Sequence, residues 1–370
     1  MNQEELTILN IGENLDNLMN LDPRGYGVCR ILYSAAREYT KEPLTMNSAK
    51  KLVNTLKEGD LVYIMTGFVL LPFKKAEMDG IVSAMLLARA LVKGFNVKPV
   101  IICPEENIIA VKNLAYVVGL HFQDSIKSLK EFPLSLAGIT FTKDIMQAGK
   151  QADELIAEEL PSAVISIECP GANSLGVYHN AIGMDVSELE AKQDILFTKL
   201  KAKGVLNIAI GDLGNEMGMG TIKEHLEAYI PYAAKGSCTC GCDGGILANV
   251  KSDNIITATV SDWGCYGLIG AMAYLKKDLK IMHTKEMEEE AIKVASKSGM
   301  IDMYGDLIPS IDGCSLSMNT SIVNLMRESI SSAMELEKTC ATWFEKVIEL
   351  GFYENEAVEN NEIESLKRII

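Results

Sequence analysis

The stretch VLNIAIGDLGNEMGMG, residues 205–220, decides the fold of this chain. Its first six residues form an apolar run of strand length, which is typical of a strand buried on both faces of a parallel sheet. The run leads into a loop with four glycines and the carboxylates Asp212 and Glu216. Glycines allow a backbone to approach a ligand closely, and oxygen ligands in such a loop are typical of a site for a hard cation. A plain strand-to-helix turn, capped by Asp212, is the alternative.

Similar apolar runs recur along the chain and alternate with segments of helical spacing. The apolar runs lie at 61–65, 97–102, 163–167, 205–210 and 255–260. The helical segments lie at 81–93, 108–118, 145–159, 187–203, 222–229 and 266–275. This alternation predicts βαβ units in a three-layer α/β fold, with a mostly parallel, doubly wound, Rossmann-like sheet and additional N- and C-terminal helices. We expect residues 1–50 to be a helical segment packed on the core, 51–350 a single α/β catalytic domain, and 351–370 an acidic C-terminal tail.

Composition and charge exclude several classes of partner. The chain has 370 residues and a formal net charge of −15 without a basic stripe, so we expect no nucleic acid. No apolar stretch reaches the roughly 20 residues of a membrane helix, and the N-terminus lacks the pattern of a secretory signal, so we expect no membrane contact. Nine cysteines without a signal peptide indicate reduced thiols in the cytoplasm. A homo-oligomer is also expected.

Acidic clusters follow three of the predicted strands at the point where each strand ends. Glu77 and Asp79 come after the first strand, Glu168 after the third, and Asp212 and Glu216 after the fourth. Because ligands of open α/β sheets bind at the carboxyl ends of the strands, we expect these side chains to lie together. Each cluster alone has an ordinary explanation as helix caps or turn residues. Their coincidence favours a functional acidic site.

We predict that this acidic site binds Mn²⁺ or Mg²⁺. Carboxylate oxygens are the ligands that these ions prefer, and the four histidines form no zinc-ligand pair at helical spacing. Neither a P-loop nor a G-x-G-x-x-G pattern occurs, so no nucleotide cofactor is expected. The predicted metal ligands are Glu77, Asp79, Glu168, Asp212, Glu216 and Asp302. The predicted catalytic residues are Asp212, Glu216 and Glu168.

A small anionic molecule is the expected substrate, because a divalent cation gives an acidic protein a local source of positive charge. Arg24 is a candidate for gripping a carboxylate or phosphate group, with a structural ion pair as the alternative. The apolar loop 68–73 and Lys74 form a candidate lid, with a subunit contact as the alternative. The predicted substrate-binding residues are Arg24, Lys74, Asn173, Asn215, Ser261 and Trp263.

The motif CTCGC, residues 238–242, is the other conspicuous local feature. Its C-x-C-x-C spacing is compatible with a soft metal or a redox pair, but no second cysteine pair stands at zinc-finger distance. We interpret these residues as thiols without a chemical role in a Gly-rich loop. Metal binding or redox activity is the alternative.

The order of these motifs resembles that of a known family. The motifs are TGF at 66–68, EMDG at 77–80, IECPGANSLGVYHNAIGMDVS at 167–187, IGDLGNEMGMG at 210–220, VSDWGCYGL at 260–268 and IDG at 311–313. They are similar to motifs of the C-terminal domain of D-glutamate cyclase and its stand-alone prokaryotic relatives, and the similarity extends over residues 22–313. Cys169 stands where the family often has Arg, and Asp262 where it often has Asn.

The resemblance implies a divalent-metal-dependent enzyme that acts on a small anionic metabolite. The implied activity is the dehydrating cyclisation of D-glutamate to 5-oxo-D-proline. In D-glutamate cyclase this domain follows one of hydro-lyase type, which is not expected here. Two alternatives stay open: a Mn²⁺- or Mg²⁺-dependent phosphatase that acts on a small phosphorylated metabolite, and a metabolite-binding module without turnover.

Overall fold

A seven-stranded parallel sheet forms the centre of the molecule. The computed structural model describes residues 1–336 and 341–353. The strands are β1 (Leu61–Thr66), β2 (Val69–Leu70), β3 (Lys75–Ala76), β4 (Lys98–Cys103), β5 (His121–Gln123), β6 (Ser135–Thr140), β7 (Ala163–Ile167), β8 (Leu206–Gly211), β9 (Asn254–Thr257), β10 (Ser310–Ile311) and β11 (Cys314–Ser315). The pairs β2–β3 and β10–β11 are antiparallel hairpins outside the sheet.

Helices lie before, between and after these strands. They are α1 (Gln3–Met19), α2 (Val28–Thr40), α3 (Leu44–Thr55), α4 (Ile81–Phe95), α5 (Ile108–Val117), α6 (Ile126–Glu131), α7 (Ile145–Glu158), α8 (Gln193–Ala202), α9 (Lys223–Tyr229), α10 (Ser261–Leu275), α11 (Lys285–Lys297), α12 (Leu316–Leu336) and α13 (Ala341–Glu349). Helices α3, α4, α5 and α10 pack on one face of the sheet, and α6, α7 and α8 lie on the other. Helices α1, α11 and α12 add an outer layer next to α10 and α5. The expected three-layer α/β fold is confirmed.

The strand order places a topological switch point in the middle of the sheet. The order is β5-β6-β4-β1-β7-β8-β9, and all neighbouring strands run parallel. From β1 the chain builds one half of the sheet outward, and it then returns to place β7 on the other side of β1. Thr66 at the end of β1 is level with Ile167 at the end of β7. Ligands of open α/β sheets bind at such a point.

The predicted strands and helices match the structure best where the sequence is continuously apolar. The five predicted strands correspond to β1, β4, β7, β8 and β9. Strand β5 was not predicted, because it is a short edge strand of partly exposed residues and lacks an apolar run. Strand β6 was not predicted either. Helix α8 begins at Gln193 rather than 187, since the Lys192 ammonium donates to the carbonyls of Ser187 and Glu190 in an irregular segment before it.

The predicted segment 1–50 contains α1, α2 and the first part of α3. These helices are packed on the core, with α1 and α3 against α10, and α2 and α3 against β9. The predicted acidic tail, 351–370, lies outside the described residues except for its first three. Among the described residues, no helix has both the length and the apolar character needed to cross a bilayer.

Candidate active site

Two groups of three carboxylates lie at the carboxyl edge of the sheet, beside the switch point. One group is Asp79, Asp212 and Asp312, and the other is Glu168, Asp212 and Glu216. In each group, one oxygen of every residue lies within 4.8 Å of the others. Ligands on opposite sides of Mg²⁺ are about 4 Å apart, which is twice the metal–oxygen distance. Each group therefore has the dimensions for one divalent cation, and Asp212 belongs to both.

Glu168 is held in an unusual backbone conformation directly after β7. Its φ of 41° lies in the left-handed region, which is costly for a residue with a Cβ. The side chain is buried, and its Oε2 accepts a hydrogen bond of 2.7 Å from the Ser261 hydroxyl. Gly80 packs against it so closely that a Cβ there would stand 2.7 Å from the Glu168 Cβ. Backbone and packing together fix the Glu168 carboxylate at the switch point.

Glu216 holds the Gly-rich loop after β8. Its Oε1 accepts hydrogen bonds from the backbone N–H groups of Asp212 and Leu213, at 3.0 and 2.9 Å. Its Oε2 accepts a hydrogen bond of 2.6 Å from the N–H of Gly214. Hydrogen bonds to a charged acceptor are stronger than neutral ones, and Glu216 is fully buried. Glu216 therefore holds in place the loop that carries the partly exposed Asp212.

Asp79 and Asp262 connect the N-termini of α4 and α10. The Asp79 carboxylate accepts hydrogen bonds from the N–H groups of Ser261 and Asp262, at 3.1 and 2.9 Å. The Asp262 Oδ1 accepts from the N–H groups of Gly80 and Ser83, at 2.9 and 3.2 Å. The first N–H groups of a helix have no partner within the helix. Each aspartate therefore caps the helix that begins beside the other.

Burial and mutual repulsion raise the pKa values of this cluster. Burial and the charge of Asp312 raise the pKa of Asp79 to about 7. Burial, together with neighbouring carboxylates, raises the pKa values of Glu77, Glu168 and Asp212 well above their ordinary range. Carboxylates at this spacing do not all ionise unless positive charge is close. The cluster therefore contains more carboxylates than can be ionised together without a nearby cation.

Arg24 brings positive charge into the cluster from the loop between α1 and α2. Its guanidinium forms an ion pair with Asp312, and its Nη2 donates to the carbonyl of Thr259 at 2.5 Å. Burial alone would lower the pKa of Arg24, but the charges of Asp312 and Asp212 outweigh it and raise that pKa. Burial raises the pKa of Asp312, against the opposing effect of this ion pair. Arg24 therefore forms a structural ion pair with Asp312, which was the alternative to a role in substrate binding.

Asp312 was not among the predicted site residues. It has a φ of 48° in the turn of the β10–β11 hairpin, so it is another non-glycine residue in the left-handed region. The motif IDG at 311–313 was the available signal. Sequence alone placed that motif in a turn, and an aspartate in a turn is common.

Buried hydroxyl groups without hydrogen-bond partners lie at the ends of the strands. Within the described chain, five buried hydroxyls lack a partner: that of Ser48 lies in α3, and the other four belong to Thr66, Ser166, Thr257 and Thr259. Thr66 ends β1, Ser166 is the second-last residue of β7, and Thr257 ends β9. Because buried polar groups in folded proteins are nearly always paired, unpaired ones concentrated at one edge mark a place for water, an ion or a ligand.

Of the predicted metal ligands, Glu77 and Asp302 belong to neither carboxylate group, although burial and the charge of neighbouring Asp79 raise the pKa of Glu77. Two predicted substrate-binding residues also lie apart from these groups. Trp263 is fully buried in the core, where its Nε1 donates to Asn319 at 2.7 Å. Lys74 is exposed in the turn of the β2–β3 hairpin. The carboxylate of Asp302 accepts a hydrogen bond of 2.7 Å from the N–H of Tyr304, as turn aspartates often do. Asp302 belongs to neither carboxylate group.

The three other predicted substrate-binding residues lie in the loops around the cluster. Ser261 donates directly to Glu168. The Asn215 side chain donates to the carbonyl of His179 at 2.9 Å, and its Oδ1 is buried with no partner among the described residues. Asn173 donates to a backbone carbonyl of an adjacent loop at 2.8 Å.

The β2–β3 hairpin contains the predicted lid. At its tip, Phe73 packs against Gly305, where a Cβ would stand 2.1 Å from the phenyl ring. At its base, the N–H of Val69 donates to the buried Glu190 at 3.0 Å. The hairpin therefore lies on the turn that contains Asp302, and its closure over a ligand stays a prediction.

The fold and the site define a doubly wound α/β protein with a carboxylate cluster at its switch point. The sequence model of a family described as D-glutamate cyclase-like, C-terminal, matches residues 15–327. The match covers most of the chain, and this chain belongs to that family.

The chain is also similar to one part of a characterised enzyme. It is 31% identical over 113 residues to mitochondrial D-glutamate cyclase of Homo sapiens. The aligned region covers 30% of this chain and 17% of the human protein. The family is therefore related to an enzyme through a small part of that enzyme's length.

Proposed function

We propose that this protein is a divalent-metal-dependent enzyme that acts on a small anionic metabolite, with the cyclisation of D-glutamate as the first candidate reaction. The observation that carries the proposal is the pair of carboxylate groups that share Asp212 at the switch point. Membership of the D-glutamate cyclase-like family supports the choice of substrate.

The side chains of the cluster fit a divalent cation such as Mn²⁺ or Mg²⁺. The donors are hard oxygens, which suit these ions. The carboxylates of the two groups outnumber the guanidinium of Arg24, so a bound cation would offset charge that is otherwise unpaired. Asp212 and Asp312 have oxygens not committed to backbone N–H groups, and these would hold the ion. When bound, the ion would supply Lewis acidity toward a substrate carboxyl group.

Glu168 is the best-placed group for moving a proton. Cyclisation forms a bond from the substrate nitrogen to the γ-carboxyl carbon, breaks a C–O bond and releases water. Starting from the ammonium and carboxylate forms, the nitrogen loses two protons in all, and the leaving oxygen receives both and departs as water. A buried carboxylate whose pKa is raised well above its ordinary range can accept each proton in turn and pass it to the leaving oxygen. Ser261, bonded to Glu168 at 2.7 Å, would fix the orientation of the carboxylate.

Arg24 is the group that would orient an anionic substrate. It lies beside Asp312 and Asp212, and its Nε has no hydrogen-bond partner among the described residues. A guanidinium with an unused donor next to the proposed metal ligands suits a carboxylate-bearing substrate.

A phosphatase is the second candidate. A carboxylate shared by two ligand groups is the arrangement that would hold two ions for phosphoester hydrolysis. This reaction differs from cyclisation in its substrate, which would be a small phosphorylated metabolite and not an amino acid. A binding module without turnover is the third possibility.

One experiment separates these functions. The full chain is purified, and D-glutamate and a phosphate monoester are assayed with and without added Mn²⁺. Asp212→Asn is the test variant, because Asp212 belongs to both carboxylate groups. Asp124→Asn is the matched control, since Asp124 is exposed near β5 and away from the switch point. We expect Mn²⁺-dependent turnover of one substrate, abolished in Asp212→Asn and retained in the control.

Turnover that is unaffected by Asp212→Asn would contradict the proposal. Calorimetric binding of D-glutamate without turnover of either substrate would instead support the binding module.

A further inference from the structure

A second cluster of possible metal ligands lies apart from the carboxylates. It consists of His179, Cys238, Cys240 and Cys242, whose ligating atoms all lie within 4.8 Å of one another. The three cysteines come from one loop, and the histidine comes from another part of the chain. The predicted chemistry for the carboxylate site makes no use of this cluster.

The distances within this cluster match those of a tetrahedral zinc site. The Nε2 atom of His179 lies 3.3 Å from the Sγ atoms of both Cys240 and Cys242. The Sγ atoms of Cys238 and Cys242 are 3.7 Å apart. Zinc–sulfur bonds of about 2.3 Å and zinc–nitrogen bonds of about 2.0 Å imply tetrahedral separations of about 3.8 Å between sulfurs and about 3.5 Å between nitrogen and sulfur.

A disulfide would use only part of this cluster. None of the described cysteines is disulfide-bonded, and the separation of 3.7 Å between the Cys238 and Cys242 sulfurs is well beyond the bond length of about 2.05 Å. A disulfide would also leave the third thiol and the imidazole without a role. Three sulfurs and one imidazole nitrogen are instead a complete ligand set for structural zinc.

The cluster joins two long loops that have little other structure. Residues 168–192 connect β7 to α8, and residues 230–253 connect α9 to β9, without a helix or strand in either. Connections of this length inside a compact domain are uncommon and are usually functional. The loops touch where the N–H of Cys240 donates to the carbonyl of Gly183 at 3.0 Å, and where Thr239 donates to the carbonyl of Ile182 at 2.8 Å.

Other side chains hold the ligands of this cluster in place. The Asn173 side chain approaches the Sγ of Cys242 at 3.5 Å as an N–H donor. The carbonyl of His179 accepts from Asn215, which belongs to the Gly-rich loop of the carboxylate site. Groups that hold metal ligands in place are part of the design of a metal site. A metal here would thus also order the contact between His179 and the loop that carries Asp212.

We propose that His179, Cys238, Cys240 and Cys242 bind one Zn²⁺ ion. All four positions around the ion are filled by protein, which makes the site structural. The ion crosslinks the two loops much as a disulfide would, and its binding releases protons from the thiols. This site is independent of the proposed reaction at Asp212.

Zinc content is the first test. The full chain is purified without chelator or metal-affinity resin, and bound metals are measured by mass spectrometry. We expect about one Zn²⁺ per chain, since four ligands complete one tetrahedral site. Loss of even an outer partner costs about 10- to 100-fold in metal affinity, so Cys240→Ser and His179→Ala are expected to empty the site.

Two controls separate this proposal from the function proposed for the carboxylates. Cys29→Ser removes a buried cysteine of α2 outside the cluster and is expected to retain the zinc. Asp212→Asn is also expected to retain it, whatever happens to turnover. If the cluster variants do not fold, the wild-type protein can be reconstituted with Co²⁺, whose tetrahedral thiolate site has a diagnostic absorption spectrum.

Three results would overturn the zinc site. The first is purified wild-type protein that holds no zinc and takes up neither Zn²⁺ nor Co²⁺ when reduced. The second is zinc that remains in full in both Cys240→Ser and His179→Ala. The third is a disulfide between Cys238 and Cys242, detected by mass spectrometry in freshly purified protein.

Discussion

At the scale of single residues, the carboxylates of the two groups differ in the hydrogen bonds that their oxygens accept. Glu216 accepts three backbone hydrogen bonds, so both of its oxygens are occupied. Asp212 accepts no such bond and faces the other carboxylates instead. The two residues were predicted to share the same roles, yet their surroundings suit one to positioning a loop and the other to binding a ligand.

This difference predicts opposite effects of two neutralising substitutions on stability. Glu216→Gln places an amide NH₂ group against backbone N–H donors, so we expect it to lower the free energy of unfolding by about 2 kcal/mol. Asp212→Asn removes the repulsion between Asp212 and the neighbouring carboxylates, so we expect equal or greater stability without added Mn²⁺ or Mg²⁺. Urea denaturation of both variants and the wild-type protein at neutral pH measures the difference. Equal losses of stability in the two variants would contradict this assignment.

At the scale of elements, α4 and α10 depend on each other for their N-terminal caps. Neither helix has a side-chain cap from its own N-cap residue, Gly80 or Val260. The carboxylates of Asp262 and Asp79 replace such caps across the interface between the helices. The two helices that carry site residues are thereby locked in one register.

The geometry of this cap predicts which substitution at Asp262 is tolerated. A single oxygen, Oδ1, accepts both hydrogen bonds from α4, and an asparagine keeps that oxygen. Asp262→Asn also removes repulsion from Asp79 and Glu288, so we expect a change in the free energy of unfolding below about 1 kcal/mol. Asp262→Ala leaves the buried N–H of Ser83 without its acceptor, whereas the N–H of Gly80 keeps its bond to Asp79, and the loss is expected to cost about 2 kcal/mol. Thermal denaturation of the two variants side by side tests this, and an Asn variant as unstable as the Ala variant would refute it.

At the scale of the whole molecule, the outer helices are fastened to the core through Asp16. This buried carboxylate on α1 accepts hydrogen bonds from the N–H of Leu44, the N–H and hydroxyl of Thr45, and the hydroxyl of Tyr33. It thus joins α1, α2 and α3. Burial raises the pKa of Asp16 from 3.8 to about 6, although these hydrogen bonds oppose the shift.

Asp16 therefore predicts a pH dependence of global stability. The folded protein holds the Asp16 proton more tightly than the unfolded chain does. Its contribution is fully present below pH 3.8 and is lost as the pH rises through about 6. From pH 4 to pH 7 we expect the free energy of unfolding of the wild-type protein to fall by ~3 kcal/mol relative to that of Asp16→Asn. Chemical denaturation at several pH values measures this difference, with Asp124→Asn as the reference variant. A constant difference across that range would contradict the prediction.

Much of the fold could be predicted because its decisive elements are local in sequence. Strands β1, β7 and β8 are continuously buried, and their apolar runs are visible without any tertiary information. Strand β5 is short and half-exposed, so its pairing with β6 depends on neighbours that a local pattern does not contain. The same limit applies to the start of α8, which depends on contacts of Lys192.

The sequence by itself determined which carboxylates follow strand ends, because the direction of each strand follows from the direction of the chain. These carboxylates belong to Glu77, Asp79, Glu168, Asp212 and Glu216. Only the tertiary structure decided which of these carboxylates share a cation site, that Asp312 joins them, and that Trp263 points into the core. It also brought His179 to the three cysteines of another loop. Arg24 and Asp312 are 288 residues apart, and such a contact follows from how helices and loops pack on the sheet. No local pattern of residues encodes that packing.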